Sequence, residues 1–139
     1  MPNRRWVTET LALVRSHFGA PVYFTRPDQL RGLKMPVIVI AGPNDTIEEG
    51  GNTIFREFTL EHWFDVGPDS DGKDPVSAYD EVDQFVKHIM NPEVRPADAY
   101  VSGNPVIVAS VESPELSPDA GPYRYLITIN FTQTLSIKD

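Results

Sequence analysis

Cysteine is absent from the 139 residues, which excludes disulfides, thiolate metal sites and thiol nucleophiles and fits folding in a reducing cytoplasm. No run of eighteen apolar residues occurs, so no segment is expected to span a membrane as a helix. The opening MPNRRWVTETLALVRSHFG places basic residues before an apolar patch, but Thr8, Glu9, Thr10 and Arg15 interrupt it, and a signal peptide is not expected. Basic residues are scarce, twelve against twenty acidic ones, and the net charge of −8 argues against tight nucleic-acid binding by the chain as a whole. Their distribution is uneven. Residues 1–34 hold six basic groups against two acids (+4), while residues 35–139 hold six against eighteen (−12). Such asymmetry suits charge-complementary contacts between like subunits, or simply an unevenly solvated surface.

Catalytic signatures are missing too. No G-x-S-x-G elbow occurs, and AGPNDT lacks the lysine, the glycine spacing and the following helix of a phosphate loop. The turn DVGPDSDGKD carries four aspartates, yet aligning Gly72 with the glycine of a calcium loop puts Gly67 at the first ligand position and Ala78 at the twelfth. That motif fails. His17, His62 and His88 fall on separate elements without i, i+4 spacing, so a zinc triad is not expected. Glu61 and Asp65 point away from His62 along a strand, and His62 reads as a surface residue. No catalytic residue, metal ligand or cofactor is assigned.

What is present is alternation. In YRYLITINFTQTLSI, Tyr123, Tyr125, Ile127, Ile129, Phe131, Leu135 and Ile137 share one face, opposite Arg124, Leu126, Thr128, Asn130, Thr132, Thr134 and Ser136. A second long alternation, TIFREFTLEHWFDV, sets Ile54, Arg56, Phe58, Leu60, His62, Phe64 and Val66 on one face. MPVIVIAG is a continuous apolar run, read as a central strand covered on both sides, and APVYFT and VIVASVES read as shorter strands. GPNDTIEEGGN reads as a long acidic loop, expected to be mobile. Val7, Leu11, Val14 and Phe18 define a first helix capped by Asn3, and Tyr79, Val82, Val86 and Ile89 a second one opened by Asp74-Pro75, with Asp80, Glu81 and Asp83 facing out. The expectation is a single α+β domain over 1–139, in the order α-β-β-β-α-β-β. Its sheet is largely antiparallel or mixed, with both helices packed on one face and the long strands projecting as a hairpin.

A strand of fifteen residues spans roughly 50 Å, more than the ~37 Å diameter of a compact chain of this length. Either part of it projects, or the strand bends, bulges or ends early; its neutral Thr, Asn and Ser face is not guarded by lysine or glutamate as a solvent-facing edge usually is. This favours homo-oligomerisation through the sheet.

The helix before MPVIVIAG, the strand FREFTLEHWFDV leading through a Gly/Asp turn into AYDEVDQFVKHI, and the closing YRYLITINFTQTL together resemble the tail terminator and tail-completion proteins of long-tailed bacteriophages, the minor tail protein U type. The resemblance spans about residues 1–135 in element order and texture rather than in an invariant motif. It implies a non-enzymatic virion protein, assembled in the host cytoplasm, that forms a hexameric ring on the head-proximal end of the tail tube. Such a ring stops tube polymerisation and offers a head-joining surface, with the tail tube protein and a head-completion or neck protein as partners and DNA passing through unbound. On this reading Arg4, Arg5, Arg15, Arg26 and Arg31 meet Asp80, Glu81 and Asp83 of a neighbour. Thr128, Asn130, Thr132 and Thr134 contact an adjacent subunit, and Asp45, Glu48 and Glu49 face the tube or lumen. The alternatives are a head–tail connector (neck) protein, a small ligand- or metal-binding enzyme centred on the aspartate turn or His62, and an adaptor that adds a partner's strand to a free edge.

Overall fold

The computed structural model describes residues 4–24, 32–48, 50–66, 75–91, 93–116 and 124–136. In chain order the elements are α1 (Arg4–Arg15), β1 (Val22–Tyr23), β2 (Val37–Ile47), β3 (Thr53–Asp65), α2 (Pro75–Ile89), a 3-10 turn (Ala97–Ala99), β4 (Tyr100–Val101), β5 (Asn104–Pro105), β6 (Ile107–Val111), β7 (Glu115–Leu116) and β8 (Arg124–Ser136). The fold is α+β.

The two long alternations pair with each other. β3 and β8 run antiparallel in unbroken register from Thr53 opposite Ser136 to Asp65 opposite Arg124. Thirteen residues at roughly 3.4 Å each make these central strands about 44 Å long. The sheet order is β1-β2-β3-β8-β6, with β7 also on β8. Every described pairing is antiparallel except β1 with β2, which run parallel (Val22 opposite Ile38, Tyr23 opposite Val39). The sheet is therefore mixed. β8 is an interior strand, because β6 and β7 pair along its other side.

Period two sorts the side chains onto two faces. On one face Ile38, Ile40, Phe58, Leu60, Phe64, Ile127, Ile129 and Phe131 form a core with Trp6, Leu13, Val14 and Phe18 from α1 and its exit, and with Ala78, Val82, Phe85 and Ile89 from α2. Both helices thus cover the same face. The buried stripe of each is rotated from the expected one. Trp6, Thr10 and Leu13 go inside while Val7 and Leu11 are half-buried, and Ala78 and Phe85 go inside while Tyr79 stays 41% exposed. The large rings of Trp6 and Phe85 decide this: Trp6 stands edge-on to Phe58, and Phe85 edge-on to Phe18 and Phe131.

The opposite face has a smaller core of Val37, Val39 and Trp63, packed by Tyr23, Leu33, Met35 and Leu126. Val37–Ile40 is consequently buried on both sides, as its unbroken apolar run implies. Beyond Ile40, β2 changes character. A bulge between Ala41 and Asn44 adds one residue opposite Phe58, and the strand continues to Ile47. Pro43, which has no N–H to give a ladder, sits in that bulge. The stretch expected as a long mobile loop is thus mostly strand, and the hairpin closes with Glu48 N–H donating to Thr53 O and Gly51 N–H to Glu48 O.

The connection after α2 also holds more structure than was expected. β4 and β5 form a two-residue hairpin through Ser102 and Gly103, both at positive φ, as a turn matching strand twist requires. Gln133 of β8 donates to the carbonyls of Val101 and Asn104, and Glu9 of α1 accepts the Ser102 N–H, so the small hairpin lies over the far end of β8. Asn3, the aspartate turn at 67–74 and Tyr123 lie outside the described residues.

Candidate functional site

Two features stand out, an open margin of the sheet and a gathered pair of histidines. β1 pairs β2 only at Ile38 and Val39, so from Ile40 to Ile47 the outer side of β2 has no strand partner among the described residues. Asn44, Asp45, Thr46 and Ile47 are all exposed there, Ile47 to 63%. Past the Trp63 cluster the helix-free face is polar apart from Phe55: Asn44, Glu57 and Thr132 lie side by side, then Thr46, Phe55 and Thr134. Thr128, Asn130, Thr132 and Thr134 do share this face, as expected. It is not neutral, however, since Glu57 and Glu61 stand beside them on β3, and Asn130 donates to Ser110 Oγ (2.9 Å) and Glu112 Oε2 (3.3 Å).

The charged candidates are placed as follows. Arg4, Arg5 and Arg15 are exposed on α1, and Arg5 pairs with Glu9 at 3.1 Å. Arg26, Arg31 and Glu49 lie outside the described residues. On α2 Asp80 is exposed, Glu81 is half-buried, and Asp83 is paired with Lys87 at 2.8 Å. Glu48 is exposed at the hairpin tip.

Asp45 is not a free loop carboxylate. Arg56 Nε and Nη2 donate to its two oxygens at 2.7 and 2.9 Å, and Arg124 grips Asp65 with the same distances at the other end of β3. Such forked pairs are the strong form of charge-assisted hydrogen bond. The Arg56 hydrogen bonds hold the Asp45 carboxyl below its usual range against the upward push of partial burial. A depressed folded pKa means that this contribution is in full force above the unfolded value of about 3.9 and is lost as pH falls through the folded one. Hydrogen exchange should therefore show the Asn44–Phe58 amides losing protection in acid. Asp45→Asn should start from lower protection at neutral pH and respond less to acid; equal acid response in both would refute the clamp.

Corrections come at the histidines. His62 is 1% exposed, not a surface residue, because it lies on the helix-covered face of β3 against the rings of Phe18 and Phe64. His17, just past α1, and His88, in the last turn of α2, meet where Phe85 of α2 packs against His17 and Phe18 at the exit of α1. Their rings lie 4.6 Å apart, and both meet Asp98 of the 3-10 turn: His17 Nε2 is 3.2 Å from Oδ2, and His88 Nε2 is 3.0 Å from Oδ1. A carboxylate only accepts, so each Nε2 carries the donated proton. Burial raises the Asp98 carboxyl, but the hydrogen bonds of His88 and then His17 outweigh it and leave it lowered. Phe85 walls the His17 ring at 5.0 Å. The signal available in the sequence was that both histidines sit near the ends of two helices on one sheet face. Asp98 gave none.

Two shallow hollows, one lined by Val76, Tyr79, Asp80, Ser113 and Pro114 and the other by Val86, Lys87, Met90, Asn91 and Glu93, contain neither this cluster nor His62. No protein-family model matches the chain, and no curated protein matches it in sequence.

Proposed function

We propose that the protein is a structural subunit that assembles with copies of itself through its sheet, and that its place is the ring of a phage tail terminator on the head-proximal end of a tail tube. The open side of β2 from Ile40 to Ile47 carries this reading. Unpaired strand backbone beside an exposed isoleucine is a template for another chain unless it is covered. The Thr-rich face next to it carries no lysine, and its small hydroxyls beside Glu57 and Glu61 suit a wet, polar contact with a neighbouring subunit. The ring's tube-stopping and head-joining roles rest on the resemblance in element order. A connector of the neck shares the same ring logic and is the second reading.

Light scattering over a range of concentrations, with electron micrographs of the purified protein, tests this. A ring of six copies would weigh about 94 kDa, six times 15.6 kDa. Ile47→Lys and Thr134→Lys should each place a charge in the seam and reduce the assembly to single chains while leaving thermal melting nearly unchanged. A wild-type chain of 15.6 kDa at every concentration, or lysine variants that assemble like the parent, would overturn the proposal. Addition of purified tail tubes separates terminator from connector, since a terminator caps the tube end and halts its growth.

A further inference from the structure

We infer that His17, His88 and Asp98 form a binding site for a divalent transition-metal cation of the zinc class. The three side chains come from three elements, and their ligating atoms lie within 4.8 Å of one another. Ligands in a tetrahedral zinc shell, each about 2.0–2.1 Å from the metal, stand roughly 3.3 Å apart. The Nε2-to-carboxylate separations of 3.0 and 3.2 Å are already close to that spacing. Only small side-chain movements separate the hydrogen-bonded cluster from a coordinated one.

The chemistry also selects a cation. Two imidazole nitrogens and one carboxylate oxygen are the donor set of zinc, cobalt(II) or nickel(II), whereas magnesium and calcium prefer oxygen alone. α1 ends two residues before His17, and His88 is in the last turn of α2, so the negative ends of two helix dipoles converge on the cluster. One carboxylate balances one imidazolium; a dication bound by neutral rings satisfies all three groups without a proton on either Nε2. Binding to neutral rings moves each ring proton from Nε2 to Nδ1 through solvent, with no net release. Asp98 keeps its carboxylate form, and the fourth position goes to water. Because the cluster ties the ends of both helices to the segment that leads into β4, the bound cation would act as a clip on the helix layer. None of this depends on how copies of the chain associate.

The test uses the full chain after dialysis against a chelator, titrated with zinc sulfate. Histidine ring 15N NMR is the direct readout, because the chain has only three histidines and His62 serves as an internal control. One equivalent should shift the ring nitrogens of His17 and His88 and leave those of His62 in place. Saturating zinc, at about a hundred times Kd, should raise Tm by roughly 5–10 °C. His88→Gln and Asp98→Asn, both at partly exposed positions, should weaken zinc binding by more than the roughly 10–100-fold typical of an outer-shell partner. Cobalt(II) should give visible absorption bands that zinc abolishes. Wild-type rings unmoved by zinc, shifts that never saturate, or full-affinity binding by either variant would each overturn the site. The wild-type arms decide the matter even if a variant fails to fold.

Discussion

Phe131→Ala should destabilise the protein by about 3–5 kcal/mol, the range for emptying a buried phenylalanine site, and so remove much of a stability that in domains is typically about 5–15 kcal/mol. Phe131 is 2% exposed at the middle of β8. Its ring stacks on Phe58 of β3 at 4.9 Å and meets Phe85 of α2 edge-on at 6.2 Å. Phe58 in turn meets Trp6 of α1, so Phe131 is one link in an aromatic chain that connects both helices to both central strands. Neighbours held by hydrogen-bonded ladders cannot collapse into the space, which argues for the upper part of the range. Chemical denaturation read by circular dichroism and by tryptophan fluorescence provides the check. A loss below about 1 kcal/mol would mean that the chain is not packed in this way.

Gly42→Ala is expected to cost on the order of 3 kcal/mol, out of proportion to one methyl group. Gly42 has φ of +118°, where L side chains are strained by about 1–3 kcal/mol. Its new Cβ would also meet Phe58 Cβ at 3.0 Å and Glu57 O at 3.2 Å, on the facing strand of a sheet that cannot easily spread. Gly51 offers the comparison. It too has positive φ, +74°, but nothing lies within 4 Å of a Cβ built on it, so Gly51→Ala should cost only about 1 kcal/mol. Denaturant midpoints for the two variants, compared at equal slope, separate strain alone from strain plus contact. Equal losses would place the bulge elsewhere. The bulge also decides the geometry of the open margin, because it is here that β2 leaves the helix-covered body.

Alternation made β3 and β8 legible, since period two persists through both and no other described strand matches their length. The apolar run at Val37–Ile40 was equally plain. β2 beyond Ile40 was not: glycine, proline, asparagine and aspartate at 42–45 are loop residues by local preference, and only pairing with β3 overrides that preference. The helix faces were misread for a related reason. Apolar spacing favoured Val7 and Leu11 in α1 and Tyr79 in α2, whereas the sheet below takes the rings of Trp6 and Phe85. Two-residue strands such as β4, β5 and β7 have no periodicity to read, and they exist because β8 or a partner hairpin lies alongside. The polar face of β8 was legible from the same alternation, whereas the glutamates beside it on β3 depend on the pairing register. The gathering of His17, His88 and Asp98 depends on tertiary packing alone, since successive members lie 71 and 10 positions apart in the chain.

The sheet ends differently on its two sides, with β1 and then the bare far half of β2 at one margin and β6 and β7 at the other. Two copies that join these unlike margins are related head to tail, not by a twofold axis, and each such joint leaves another free end. Whether growth stops at a closed circle or runs on as a fibre is then decided by the rotation per step, not by the strength of the joint. A change that alters the twist at the β2 bulge could convert one outcome into the other without touching the contact itself.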